Sequence, residues 1–150
     1  MQYFEDVEIG TTRETGTKLV DRNEIIEFAK EFDPQPFHID ETAAKASIYG
    51  GLIASGWHTA AMVMRLQVDS FVGKASTTGS PGFDNLRWLK PVRPGDVIRV
   101  RSTCIEKTPS RSRPTLGAVK FTTEVLNQND ETVMSLTSIG LYNRRPTSKS

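Results

Sequence analysis

The chain has 150 residues, of which 37% are hydrophobic and 25% charged, and its formal net charge is +1 at pH 7. This length fits a single domain with a sizeable core, and the near-neutral charge argues against nucleic acid as the main partner. No apolar run reaches the roughly 18 residues of a membrane span, and the N-terminus lacks the basic and apolar regions of a signal peptide. We therefore expect one cytoplasmic domain over residues 1–143 and a disordered tail over residues 144–150.

The first third of the chain predicts a short strand followed by helices. Residues 12–20 are polar and compatible with a strand, and Asp21 with Glu24 three residues later resembles a capping box. The helix that follows carries four apolar residues on one face: Ile25, Phe28, Ala29 and Phe32. Asp33-Pro34 ends this helix, and Asp40 is placed to cap a second short helix that runs to Ala46.

A longer helix is predicted over residues 54–72. Between Ala54 and Met64 it has no formally charged residue, and apolar side chains cover most of its circumference. A helix of this kind is buried on nearly all sides. The pattern therefore places it at the centre of the domain.

The second half of the chain predicts four strands, over residues 83–90, 97–107, 119–125 and 132–142, joined by turns. Such strands pair antiparallel, so the fold class is α+β, with one antiparallel sheet around one buried helix. Cys104, the single cysteine, falls in an alternating strand and is expected to be buried. A single sheet of this size leaves an edge and part of a face uncovered, so we expect a homodimer or an assembly of dimers.

Asp33 and His38 combine a carboxylate and an imidazole, the pair most often used for proton transfer, across a segment that holds Pro34 and Pro36. Proline disfavours the helical region for the residue before it, which excludes Asp33 and Gln35 from a helix. The sequence therefore predicts a stiff, non-helical loop that carries two reactive groups.

Basic residues concentrate between positions 87 and 113. Eight bases and two acids give this region a balance of +6, so the rest of the chain sums to −5. Two interpretations are open: the solvated face of edge strands, or a docking surface for a small polyanion such as a nucleotide phosphate.

The segment Phe32-Asp33-Pro34-Gln35-Pro36-Phe37-His38-Ile39-Asp40, with Gly50-Gly51-Leu52-Ile53-Ala54-Ser55-Gly56-Trp57 downstream, resembles the signature of the MaoC-like dehydratases, the (R)-specific enoyl-CoA hydratase group. The family's Asp-x-Asn-Pro-x-His pattern has Gln35 in place of its Asn. The block from Arg87 to Asp96 is also similar. The resemblance spans about residues 4–143 and implies a hot-dog fold, a sheet wrapped around one long helix with a helical overhang segment before it.

This resemblance implies a hydratase of 2-enoyl-CoA thioesters that needs no metal and no cofactor beyond the coenzyme A of its substrate. Asp33 and His38 would activate water, and the N–H of Gly56 at the start of the buried helix would stabilise the thioester oxygen. Substrate-binding candidates are Ser55, Trp57, Gln35, Arg87, Lys90 and Arg93. A serine that some relatives carry in the long helix falls at Met64 here.

Two alternatives remain open at this stage. One is an acyl-CoA thioesterase of the same fold, although such enzymes generally lack the segment over residues 28–53 that carries Asp33 and His38. The other is a non-catalytic acyl-CoA-binding subunit. His58, two residues after Gly56, is interpreted as a hydrogen-bonded core or interface residue.

Overall fold

The computed structural model describes residues 1–147, and its centre is one antiparallel sheet with helices packed against it. The strands lie in the order β1-β4-β5-β6-β3, and β2 also pairs with β4. Their bounds are β1 Thr12–Glu14, β2 Lys18–Leu19, β3 Phe83–Trp88, β4 Val97–Pro109, β5 Leu116–Leu126 and β6 Thr132–Asn143. The helices are α1 Arg22–Phe32, α2 Pro36–Ile39, α3 Glu41–Ala46 and α4 Gly56–Ser70, with 3₁₀ turns at Phe4–Asp6 and Val72–Lys74.

The alternating sequence of β4 buries one face of the strand, as predicted. Ile98, Val100, Ser102 and Cys104 are at most 1% exposed. Ile98 and Val100 form an apolar surface with residues of β5 and β6, and Met62, Val63 and Leu66 of α4 belong to the same core cluster. Cys104 belongs to a second cluster, with Phe4 and Phe121. The α+β class is therefore confirmed.

The predicted first strand is interrupted. Residues 15–17 separate β1 from β2, and the Thr15 hydroxyl accepts a hydrogen bond from the N–H of Val100 in β4, at 2.9 Å. The N–H of Thr15 donates to the carbonyl of Val100, also at 2.9 Å. A side-chain oxygen thus replaces a backbone carbonyl as the acceptor at this point of the β-ladder. The predicted strand is therefore divided into two short ones.

The helix caps form where the sequence places them. The Asp21 carboxylate accepts from the N–H of Glu24, and the Asp40 carboxylate accepts from the N–H groups of Thr42 and Ala43. Asp33 ends α1 in a non-helical conformation, with φ −155° and ψ 66°. The overhang between β2 and α4 is therefore three short helices linked by capped turns.

Two predictions about helices were wrong in part. The segment after Asp33 is not a loop throughout, because Pro36 begins α2 and places His38 within it. A proline restricts the residue before it, but its own fixed φ suits the first turn of a helix. The second correction concerns α4, which is not buried on all sides: Trp57 is 61% exposed and Met64 45% exposed, because the sheet and α1 cover only part of the helix.

The C-terminal segment is held to the domain as far as it is described. The N–H of Arg144 donates to the carbonyl of Thr115 at 2.8 Å, and Arg145 forms an ion pair with Asp6. Residues 148–150, which belong to the predicted disordered tail, lie outside the described residues. Over residues 1–147, no helix is both long and apolar enough to cross a membrane.

The contact between β5 and the N-terminal turn provides a stability test. A Cβ atom added at Gly117 would lie 2.4 Å from the ring of Phe4, which is only 6% exposed. We expect Gly117→Ala to lower the free energy of unfolding by about 1–3 kcal/mol, measured by urea denaturation, because overpacking must displace the ring. Gly16→Ala is the matched control, since no atom lies within 4 Å of its added Cβ and its φ is not positive. Equal stability of the two variants would contradict this packing.

Candidate active site

Asp33 and His38 meet because α1 ends at the first residue and α2 carries the second. Asp33 Oδ2 and His38 Nε2 lie 3.3 Å apart. The His38 side chain is 6% exposed and that of Asp33 is 20% exposed, so the pair is largely shielded but still reachable from solvent. The prolines at positions 34 and 36 set this geometry, because they keep Asp33 and Gln35 out of the helical conformation.

The other ring nitrogen of His38 determines its tautomer. Nδ1 lies 2.8 Å from the carbonyl oxygen of Ile53, and a carbonyl can only accept, so Nδ1 carries the hydrogen. In the neutral imidazole, Nε2 therefore presents a lone pair toward the Asp33 carboxylate. Two acceptors 3.3 Å apart are best satisfied by a molecule that donates to both, and water is the smallest such molecule.

Three side chains act on the Asp33 carboxylate. Gln35 Nε2 donates to Oδ1 at 2.6 Å, and Ser55 Oγ donates to Oδ2 at 2.7 Å. The hydrogen bond from Gln35 lowers the pKa of Asp33 below its ordinary value, and the bond from Ser55 and the nearby His38 lower it further, against the opposing effect of burial. A lowered pKa means that the ionised carboxylate stabilises the fold above about pH 4, and that this contribution is lost as the pH falls through the folded-state pKa.

The N-terminus of α4 lies beside this pair, because Ser55 is the residue before the helix. The serine hydroxyl does not cap the helix but binds Asp33. Within residues 1–147, the N–H groups of Gly56 and Trp57 have no hydrogen-bond acceptor. Free N–H groups at a helix N-terminus stabilise negative charge on an oxygen placed against them.

Trp88, at the end of β3, closes the other side of the helix N-terminus. Its Nε1 donates to the carbonyl of Gly56 at 2.9 Å, and a Cβ at position 56 would lie 2.6 Å from the indole ring. Only glycine fits against this tryptophan. No role was assigned to Trp88 from the sequence. A large aromatic residue at the end of a strand could have indicated one, and the Trp88 side chain is 42% exposed.

These groups surround one cavity of about 460 Å³, hereafter the site cavity. Of the predicted site residues, it is lined by Asp33, His38, Gly56, Gln35, Trp57 and Lys90. Ser55 contributes through its bond to Asp33. Arg87 and Arg93 do not line the cavity: Arg93 donates to the carbonyl of Tyr49, and Arg87 donates to the carbonyl of Leu86 beside it in the chain. Their assignment to substrate binding stays a prediction.

The basic region over residues 87–113 is partly neutralised by acids from elsewhere in the fold. Lys90 pairs with Glu131, Arg99 with Asp130, and Arg101 with Glu124. The net positive charge around these residues in the folded protein is therefore smaller than the +6 counted along the sequence. Lys90 is the base of this region that lines the site cavity.

His58 lies away from the site cavity and stacks on Phe28 at 4.8 Å between ring centroids. It is 6% exposed, and burial lowers its pKa. Its Nδ1 has no hydrogen-bond partner within the described residues, so the predicted core position is correct but the predicted hydrogen bond is absent for that atom. Cys104 is buried as predicted, and burial raises the pKa of its thiol.

The fold and the site define a class of protein: a hot-dog domain with a carboxylate–imidazole pair beside the N-terminus of its central helix. The sequence model of the MaoC-like domain matches residues 5–127, so the chain belongs to this family. It is 31% identical over 128 residues to the uncharacterized protein YdeM of Bacillus subtilis, covering 85% of this chain and 89% of that one.

Two further relatives carry family names. Identity with a 3-hydroxybutyryl-CoA dehydratase of Methylorubrum extorquens is 31% over 116 residues, covering 77% of this chain and 71% of the relative. The crystal structure of a MaoC-like dehydratase from Rhodospirillum rubrum superposes with a TM-score of 0.92 at 43% identity, covering 98% of this chain and 100% of the other.

The hydrogen bond from Gln35 can be tested through the carboxylate that it serves. We expect Gln35→Leu to raise the pKa of Asp33, because removal of a donor disfavours the ionised form. The measurement is a titration of the Asp33 carboxyl carbon by NMR. Gln67→Leu in α4 is the control and should leave this pKa unchanged. An unaltered pKa in Gln35→Leu would contradict the assigned contact.

Proposed function

We propose that this protein hydrates 2-enoyl-CoA thioesters to (R)-3-hydroxyacyl-CoA and catalyses the reverse dehydration. The observation that carries the proposal is the position of the Asp33–His38 pair and the free N–H groups of α4 around one cavity. Family membership and the relative named 3-hydroxybutyryl-CoA dehydratase support it. The reaction is redox-neutral and requires only acid–base chemistry and stabilisation of a negative charge.

The pair supplies the acid–base chemistry. A water molecule that donates to Asp33 and to Nε2 of His38 is oriented with its oxygen lone pair available for the β-carbon of the enoyl group. As the C–O bond forms, the Asp33–His38 pair accepts one proton from water, and the pair then delivers one proton to the α-carbon, so that it returns to its starting state. The ionised state of Asp33, favoured by Gln35 and Ser55, suits the accepting role.

The helix N-terminus supplies the charge stabilisation. Attack at the β-carbon moves electron density onto the thioester oxygen, which becomes enolate-like. We assign this oxygen to the N–H groups of Gly56 and Trp57, which have no acceptor among residues 1–147, and fixed donors of this kind do not need to reorganise during the reaction. We place the thioester against these groups, with the acyl chain in the site cavity.

Coenzyme A would extend from the mouth of the site cavity toward Lys90, with Arg87 and Arg93 as further candidates for its phosphates. Lys90 lines the cavity, and its pairing with Glu131 is at the surface, where ion pairs are weak and exchangeable. Release of free thiol from acyl-CoA substrates would instead indicate a thioesterase, and binding without turnover would indicate a non-catalytic subunit.

The catalytic pair can be tested with crotonyl-CoA, by following the loss of enoyl absorbance. We expect Asp33→Asn and His38→Gln each to lower kcat by about 10²- to 10⁴-fold, because each removes a proton acceptor from the same water. The loss of kcat in the double variant should be much smaller than the product of the two single losses, since the residues act as a unit. Asp69→Asn, at an exposed carboxylate paired with Arg65, is the control. Absence of activity with enoyl-CoA substrates of any chain length or branching would refute the proposal.

We also propose that the protein assembles through the exposed edge of β3. This strand ends the sheet, and it carries Phe83 and Trp88, 56% and 42% exposed. Phe83 lines a cavity together with Met64 of α4, which is 45% exposed. An unpaired strand edge is a template for pairing, and a second copy would cover it together with the exposed side of α4.

Light scattering after gel filtration tests this assembly. We expect a mass of about 33 kDa, twice the 16.7 kDa of the chain, or a multiple of it. Met64→Lys should shift the mass toward 16.7 kDa, because a charge at a buried interface is costly. Ile48→Lys is the control, since Ile48 is 93% exposed on the overhang. A monomeric wild-type protein would rule out the interface.

A further inference from the structure

Arg13, in β1, occupies an unusual position for a charged side chain. The carbon at the centre of its guanidinium lies 3.9 Å from the centroid of the Phe71 ring and 4.3 Å from that of Phe121. Two aromatic rings therefore shield the cation. Stacking of this kind holds a guanidinium in place but does not satisfy its N–H groups, which still need hydrogen-bond acceptors.

Those N–H groups are poorly satisfied. Nη2 reaches the Tyr142 hydroxyl at 3.4 Å, a long hydrogen bond, and Nε is buried with no partner among residues 1–147. No carboxylate of the described residues lies within 4.0 Å of the Arg13 guanidinium. Asp6, which shares a neighbouring cavity with Arg13, binds Arg145 and the N–H of Tyr3 instead. Arg13 is half-buried and its Nε is fully buried, and a partly desolvated cation without an anion is costly, so an anionic partner would be favoured here.

A second cavity lies against this guanidinium, with a volume of about 240 Å³, hereafter the Arg13 cavity. It lies between the C-terminal half of α4, the segment after α4 and the sheet, and it shares no lining residue with the site cavity. Its lining combines apolar side chains with Arg13 and hydroxyl groups. The residues that matter here are Arg13, Met64, Gln67, Phe83, Ser138 and Tyr142.

Serine hydroxyls form part of the polar lining, with Ser102 buried and Ser138 half-buried. Thr123 in β5 lies 3.2 Å from Ser102 and 3.2 Å from Ser138, so three neighbouring strands carry a chain of hydroxyl groups. Ser102 and Ser138 both line the cavity. A hydroxyl can donate as well as accept a hydrogen bond, so these linked hydroxyl groups can present an O–H donor to an anion in the cavity.

We propose that the Arg13 cavity binds a carboxylate attached to a small apolar body, with the carboxylate paired to Arg13. The volume exceeds the roughly 150 Å³ that accommodates benzene in an apolar cavity, so a body of that size fits. The planar guanidinium matches a carboxylate geometrically, and the aromatic and aliphatic walls suit the rest of the ligand. The carboxylate has two sources: a free carboxylic acid, or the far end of an acyl chain on coenzyme A.

Binding of free acids is tested by calorimetry on the assembled protein, because Met64 and Phe83 belong to the face that the proposed dimer covers. The probes are benzoate and its neutral counterpart benzamide. We expect benzoate to bind at least about 10-fold more tightly, and Arg13→Met to remove this difference, because a charge-assisted pair is lost. Arg65→Met, at an arginine whose side chain is 80% exposed, is the matched control and should bind as the wild type does.

The acyl-borne source is tested with saturated thioesters, which bind without reacting. Adipyl-CoA is compared with hexanoyl-CoA, and sebacyl-CoA with decanoyl-CoA. The ten-carbon pair is included because an acyl chain held at Gly56 must be long to reach the Arg13 cavity. Gly56 and Met64 are eight residues apart in α4, about 12 Å along its axis. Tighter binding of the carboxylated member, dependent on Arg13, would identify an acyl-borne carboxylate. These measurements need no turnover, so their outcome is separate from that of the proposed hydratase activity.

A second variant leaves Arg13 intact. Gln67→Phe adds an aromatic side chain to the cavity wall on α4, and we expect it to weaken binding of the preferred carboxylate at least about 10-fold by filling the space. This result stands even if Arg13→Met fails to fold. The proposal is overturned if wild-type protein distinguishes neither benzoate from benzamide nor either carboxylated thioester from its partner, or if the distinction persists in a folded Arg13→Met variant.

Discussion

The Asp33 carboxylate is the point at which the overhang and the central helix are joined. Its two oxygens accept hydrogen bonds from Gln35 and from Ser55, and one of them faces His38. These contacts connect the end of α1, the turn before α2 and the residue before α4. Because a partly buried carboxylate is stabilised by its donors, loss of these contacts would disturb all three elements together. The reactive pair is thus also a structural junction.

The sheet makes this junction possible by holding α4 in one place. Alternating burial in β4, β5 and β6 gives an apolar surface, and the core residues of α4 pack on it. The N-terminus of the helix is then fixed by Trp88, whose indole donates to the carbonyl of Gly56. The oxyanion-binding groups that we propose are therefore positioned by packing rather than by a flexible loop, which suits electrostatic stabilisation.

The sequence predicted features with local causes well and features with distant causes poorly. The alternation of β4, the caps at Asp21 and Asp40 and the non-helical backbone of Asp33 and Gln35 follow from neighbouring residues and were all found. The bond from Ser55 to Asp33 joins residues 22 apart, and that from Trp88 to Gly56 joins residues 32 apart. Neither has a local signal. The exposure of Trp57 and Met64 was likewise missed, because it depends on how far the sheet extends around α4.

The tryptophans give the molecule a built-in optical signal. The chain has two of them, Trp57 and Trp88, their rings are 5.1 Å apart edge to face, and both line the site cavity. Tryptophan emission from this protein therefore originates at the proposed oxyanion site alone, with no background from the remainder of the core. Fluorescence would report whether a ligand occupies that cavity, and a probe bound in the Arg13 cavity would register only if the two cavities were conformationally coupled.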